Sequence, residues 1–342
     1  MGNIFVNYNK KINILKSSKF TSVECSMQGC RDSMEDEHIM SALSIKGHYI
    51  FAVFDGHGGN EMAKHARSHL IKIIEENEKW DTYCKTSLLE DFYGPIFDKD
   101  TLIKECLQEV FMEIDRSILD SEFSEDRLLN CGTTANVVLL TPTKYYCANI
   151  GDSRAILDTE CGTFYLSVDH KPNDKNEHDR IHKDGGYVMR NRVDNIIATS
   201  RAFADFRFKK DMIVRSDSRV TAFPDVIIKK RTELDKYLIL GCDGVWDAFS
   251  NLELTSLIKT TLENLDSERE LYREKMRTFI KSLQLPQEKM QLQYEKIDKQ
   301  IYQSTITSEL DEQQKISIVT QIIVHECSKS NDNVSLIIVL LK

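Results

Sequence analysis

Proline and glycine are scarce, 5 and 14 among 342 residues, so this is neither a fibrous chain nor a disordered Pro/Gly-rich one. No apolar run approaches the roughly 20 residues that span a bilayer, and the N-terminus lacks the apolar core of a signal peptide. The expected location is therefore the cytoplasm, with the nucleus or a peripheral membrane association as alternatives. Basic charge is also short. Lys and Arg number 45 against 54 Asp and Glu, a formal net charge of -9, which argues against nucleic acid as a partner. The nine cysteines never take Cys-x-x-Cys spacing, so neither a structural zinc site nor a redox dithiol is indicated. What remains, 41% hydrophobic and 29% charged, is the composition of a packed domain whose acidity suits cations.

Residues 1–19 read as an N-terminal tail and 20–342 as one catalytic-sized domain. In the tail, Met1-Gly2-Asn3 offers the glycine needed for N-myristoylation, although Val6 stands where Ser or Thr is usual. One acyl chain binds membranes weakly, so Lys10, Lys11, Lys16 and Lys19 would have to add electrostatic attraction.

The apolar stretch Tyr49-Ile50-Phe51-Ala52-Val53-Phe54 stops at Asp55-Gly56 and reads as a buried strand. Helical spacing follows in Met62, Ala66, Leu70 and Ile73, and again in Ile103, Leu107, Val110, Ile114 and Ile118. Short strands over 134–140, 144–150, 155–157 and 164–168, separated by turn signals, read as an antiparallel meander. Residues 169–186 read as a loop with one short helix, and strands resume at 225–228, 237–240 and 334–341. This order suggests an α+β domain on antiparallel sheets. A helical insertion rich in Glu, Lys, Gln and Leu occupies about 252–329. Within it Met290, Tyr294, Ile297 and Ile301 fall at helical spacing, which two heptads make better suited to packing on the chain's own domain than to a coiled coil.

Asp-Gly after a strand is an ordinary turn former. Here Asp55-Gly56 and Asp243-Gly244 each follow an apolar strand, and Asp332-Asn333 precedes another. If those strands are neighbours, three carboxylates meet at one rim and repel unless a cation joins them. With no His or Cys cluster nearby, hard oxygen ligands select Mg²⁺ or Mn²⁺. Two such ions lower the pKa of a bridging water and neutralise a phosphoryl oxygen, the general logic of metal-assisted phosphoester hydrolysis. Arg31, in Gly29-Cys30-Arg31-Asp32-Ser33-Met34-Glu35-Asp36, has the fork to clamp a phosphate, or else to pair with Glu35 or Asp36. His57, two residues after Asp55, is placed to protonate a leaving alkoxide.

Together these segments resemble the protein phosphatase 2C family of metal-dependent Ser/Thr phosphatases. The matching motifs are Arg31 to Asp36, Phe54-Asp55-Gly56-His57-Gly58-Gly59, Gly132-Thr133-Thr134-Ala135 and Asn149-Ile150-Gly151-Asp152-Ser153-Arg154-Ala155. They continue through Asp169-His170-Lys171-Pro172, Asp184-Gly185-Gly186, Ser200-Arg201-Ala202-Phe203, Gly241-Cys242-Asp243-Gly244-Val245-Trp246-Asp247 and Asn331-Asp332-Asn333-Val334. The resemblance implies a four-layer αββα sandwich and hydrolysis of phosphoserine and phosphothreonine on phosphoprotein substrates by direct attack of a water bridging two Mg or Mn ions. It makes Asp55 the shared ligand, Asp243 and Asp332 the partners on one ion, and the Gly56 carbonyl a ligand of the other. Glu35 and Asp36 act through bound waters, and Asp152 with Asp243 would hold a weaker third metal. Arg31 grips the phosphate, His57 is the general acid, Thr134 supports the site, and 169–186 matches a mobile flap. Two departures stand out. Ala204 replaces the glycine usual after Ser-Arg-Ala-Phe, and the insertion ahead of Asp332 is unusually long. They motivate one alternative, a non-catalytic binding protein that recruits regulators through the insertion.

Overall fold

The computed structural model describes residues 7–93, 98–265, 311–327 and 331–342, with isolated positions between 266 and 310. Two antiparallel sheets lie face to face. The first has strand order β1 (Asn7–Lys16), β2 (Phe20–Gly29), β16 (Val334–Leu341), β15 (Asp235–Gly241), β9 (Arg154–Thr159) and β10 (Gly162–Tyr165). The second runs β14 (Asp225–Lys230), β8 (Lys144–Ile150), β7 (Ala135–Leu140), β4 (Tyr49–Phe54) and β3 (Glu37–Ala42).

Strand alternation builds the layers. In β4, Ile50, Ala52 and Phe54 face α1 (Glu61–Glu76) and α3 (Lys99–Leu119), whereas Phe51 and Val53 enter the core between the sheets. In β16, Leu336 and Ile338 face α7 (Asn251–Glu263) and α8 (Glu312–Glu326), whereas Ile337 and Val339 enter the same inter-sheet core. Helices thus cover both outer faces, and the expected αββα sandwich is the fold.

Several local expectations change. Asn7–Lys16 is not a tail but an edge strand paired with β2. Its Ile12 packs toward the helices and its Leu15 between the sheets, an alternation that the neighbouring lysines obscure in the sequence. The meander divides: β7 and β8 pair in the second sheet, while β9 crosses to pair with β15 in the first. Helix α2 (Glu78–Tyr93), not anticipated from the sequence, lies against α3, with Trp80, Tyr83 and Thr86 buried among its described side chains. Gly2 and Val6, and with them the myristoylation expectation, lie outside the described residues, as does most of 266–310. Of the four spaced insertion residues, Met290 and Tyr294 pack against the core beneath α7 and α8, whereas Ile297 and Ile301 lie outside the described residues. Among the described residues no helix is long and apolar enough to cross a membrane.

Candidate active site

The period-two alternation that buries Phe51 and Val53 carries Asp55 to the same inter-sheet face, just past the end of β4. The inter-sheet face of β15, with Leu238 and Leu240, continues to Cys242, after which the chain turns into the short helix α6 (Asp243–Trp246), whose first residue is Asp243. Asp332 precedes β16, which pairs with β15. The three carboxylates therefore converge at one rim, Asp243 and Asp332 from adjacent strands and Asp55 from the facing sheet.

Asp36 completes this rim from the start of β3. It is 4% exposed, and its carboxylate oxygens make no well-formed hydrogen bond, with only the Ser335 hydroxyl and the Cys242 thiol beside them. Leaving such a group orphaned in a dry site is costly. Burial pushes its carboxyl up to about 7, with Asp243 and Asp332 adding to the shift. Burial and the carboxylates of Asp36 and Asp243 also raise Asp55 well above the usual range, and burial with Asp152 raises Asp243 to about 6. Ligand atoms of Asp36, Asp55 and Cys242 lie within 4.8 Å of one another. The Cys242 thiol is already engaged, accepting from the Ser335 N–H at 3.1 Å and facing the Asn333 carbonyl at 3.4 Å. Burial holds it protonated far above neutrality. The free donors are therefore hard carboxylate oxygens, and the residues present fit Mg²⁺ or Mn²⁺.

Arg31 forms an ion pair with Asp332 at 2.5 Å and donates from Nε to the Asn331 carbonyl at 2.9 Å. Its pairing is thus with Asp332, not with Glu35 or Asp36, and its side chain remains 56% exposed over the rim. Glu35 accepts from Ser33 Oγ at 2.7 Å and from the Gly59 N–H at 3.2 Å. The approach is tight at Gly56, where a Cβ would stand 2.5 Å from the Glu35 carbonyl, so only glycine fits. Thr134 supports Asp55 twice, donating its N–H to the Asp55 carbonyl at 2.9 Å and accepting the Asp55 N–H on Oγ1 at 3.2 Å. Asp152 lines the cavity but is held by an ion pair with Lys171.

These groups border an open cavity of about 500 Å³. The other wall brings in residues that sequence reasoning missed, chiefly Arg192, Arg207 and Asp205. Asp205 accepts from His57 Nε2 at 2.7 Å and is almost wholly buried. Burial opposes the charged imidazole, but the Asp205 carboxylate outweighs it and raises the His57 pKa. Gly132 makes room for the pair, since a Cβ there would stand 2.6 Å from His57 Nε2 and closer still to Asp205. Ala204 and Asp205 both adopt the left-handed region, φ +58° and +52°. Ala204 therefore keeps a conformation that glycine would take freely, at a cost of about 1 kcal/mol or more per residue.

The segment beside the cavity is anchored by charge. Glu177 on α5 (Lys175–Lys183) pairs with Arg201 at 2.6 Å and Arg180 at 2.7 Å, and Arg201 reaches Asp225 at 2.9 Å. Against the penalty of burial, these arginines hold the Glu177 carboxyl down to about 2 from 4.5. A depressed acid contributes stability that is complete above its unfolded pKa and fades as pH falls toward the folded one, here about 3 kcal/mol. Glu177→Gln is expected to lose that amount at pH 7, with the deficit shrinking below about pH 4.5. Calorimetric melts of both proteins across pH check this, and a deficit independent of pH would reject it.

The family model described as protein phosphatase 2C matches residues 20–284. The chain is 34% identical over 261 residues to probable protein phosphatase 2C 3 of Paramecium tetraurelia, covering 73% of this chain and 80% of that one. It is 38% identical over 240 residues to protein phosphatase 2C homolog 3 of Schizosaccharomyces pombe, covering 68% and 53%. In fold it is similar to a serine-threonine phosphatase 2C from Toxoplasma gondii, with a TM-score of 0.68, 17% identity and coverage of 98% and 99%. The family match stops at residue 284, so Asp332 joins the site through the pairing of β16 with β15 and its contact with Arg31.

Proposed function

The chain belongs to the protein phosphatase 2C family, and from that membership we propose that its acidic rim holds two Mg²⁺ or Mn²⁺ ions for hydrolysis of phosphoserine and phosphothreonine. That it is a protein serine/threonine phosphatase acting on phosphoproteins follows from the family itself; metal use and residue roles are the finer reading. Asp36 is the observation that carries it: a buried carboxylate without a well-formed hydrogen bond on either oxygen, set behind Asp55 and Asp243.

In this reading Asp55, Asp243, Asp332 and the Gly56 carbonyl would hold the two ions, with Asp55 serving both, Glu35 and Asp36 would act through water, and Asp152 with Asp243 would take a weaker third ion. When bound, the ions activate a water and neutralise phosphoryl charge. The chain's residues do the rest. Arg31 orients the phosphate by its exposed fork, held at the rim by Asp332 and the Asn331 carbonyl. His57, aimed by Asp205, delivers a proton to the departing serine or threonine oxygen. Thr134 fixes the backbone at Asp55.

The alternative of a non-catalytic binding protein finds no support, since the carboxylates are all in place and Ala204 keeps the left-handed turn. Of the insertion expected at about 252–329, α7 and α8 belong to the outer layer of the sandwich, so the proposed docking role for regulators is confined to the residues between them. The test of the main reading is phosphate release from a phosphothreonine peptide. Purified protein with Mn²⁺ is expected to release it and a chelator to stop it; turnover indifferent to chelator would refute the metal reading.

A further inference from the structure

Asp205 can aim His57 only if the turn carrying it stays in an unfavourable conformation. Ala204 and Asp205 sit consecutively at positive φ, +58° and +52°, where residues with a Cβ are disfavoured. Three small strands set the frame. β5 (Gly56–His57) and β13 (Phe203–Ala204) flank β6 (Gly132–Thr133), so that His57 and Ala204 both register with Gly132. The Asp205 N–H donates to the Cys131 carbonyl at 3.1 Å. The Ala204 N–H, by contrast, donates to a side chain: Asp115 Oδ1 on helix α3, at 2.7 Å. The other oxygen of Asp115 accepts from Lys209 Nζ at 2.5 Å, and both side chains are fully buried. Lys209 lies four residues beyond Asp205, over the Phe206 ring at 4.8 Å. The pair therefore grips the turn on both sides of Asp205, tying it to a core helix.

A buried ion pair is weak grounds for stability, since apolar replacements of similar volume are often neutral. Its geometry points elsewhere. We propose that Asp115 and Lys209 are positioning residues for the reaction: they clamp the Ala204–Asp205 turn so that Asp205 holds His57 in line for proton delivery. The clamp does the work that a glycine at 204 would make unnecessary. This inference rests on His57 acting as the general acid.

The test compares a phosphothreonine peptide, whose leaving alkoxide needs a proton, with nitrophenyl phosphate, whose leaving group barely does. Asp115→Leu with Lys209→Met keeps the volume but removes the clamp. It is expected to lower kcat on the peptide by about tenfold to a hundredfold while nitrophenyl phosphate turnover stays within about twofold. Adding Ala204→Gly, which relaxes the turn, is expected to restore most of the peptide rate. Equal losses on both substrates, no loss, or a selective loss that Gly at 204 does not restore would overturn the clamp. Should the apolar pair not fold, Asp115→Asn with Lys209→Met keeps a weaker, neutral acceptor for the Ala204 N–H. A peptide-selective loss of about threefold, reversed by Ala204→Gly, is then expected, and an unchanged ratio of the two rates overturns the proposal. His57→Gln separates the two readings. If it shows no leaving-group selectivity, the acid assignment fails; if it does and the clamp variants do not, only the clamp fails.

Discussion

Asp243→Asn is expected to cut phosphopeptide turnover by about a thousandfold or more, yet to make the metal-free protein more stable. The two effects share one cause. In the proposed reading the acidic rim serves a cation, and without one its carboxylates are buried together: Asp243 is raised to about 6 and Asp36 to about 7. A raised acid binds its proton more tightly in the folded state, so it destabilises the fold above its folded pKa, and the penalty disappears as pH falls toward the unfolded value. For Asp243, moving from 3.8 to about 6, the penalty at pH 7 is up to about 3 kcal/mol. An amide carries no such cost and is a poor ligand for a hard cation. Melts in chelator at pH 7 should place the variant above the parent, and the gap should close below pH 6. Equal stability in chelator together with normal turnover would refute the ligand assignment.

His57→Gln is the second large effect. A general acid is worth about a hundredfold to ten-thousandfold where the leaving group needs its proton. Loss on a phosphothreonine peptide should fall in that range, while nitrophenyl phosphate hydrolysis changes by about threefold at most. His57 is 34% exposed toward the cavity, with its inner nitrogen bonded to a nearly buried Asp205. The exposed edge faces the cavity, where the proposed substrate would lie, and the bonded edge fixes its direction. Parallel losses on the two substrates would reduce His57 to a structural role.

Much of this site was legible before any coordinates. Asp55 and Asp243 announce themselves because each follows an apolar strand, and for Asp55 the alternation of Phe51 and Val53 also aims it into the inter-sheet space. Arg31, Glu35 and Asp36 lie in one short motif, and Thr134 in another. The illegible parts depend on distant pairings. Asp205 meets His57 across 148 positions, and Asp115 reaches Ala204 across 89; no local pattern records either. The division of the meander between two sheets depends on which partner strand is nearest, and the run from Ala135 to Thr159 is apolar enough to suit either. Edge strand β1 was hidden because Lys10, Lys11 and Lys16 interrupt both sides of its alternation. Ala204 was visible only as a departure; the strain it carries, and what holds it, required backbone angles.

The most direct test of the metal centre is to count ions. Manganese titrated into chelator-stripped protein, followed by the paramagnetic resonance signal of free Mn²⁺, should show two tight ions per chain in the native protein and none tight in Asp55→Asn, because the proposal has both ions share that carboxylate. Two ions retained in Asp55→Asn, or no tight manganese in the native protein, would contradict the account.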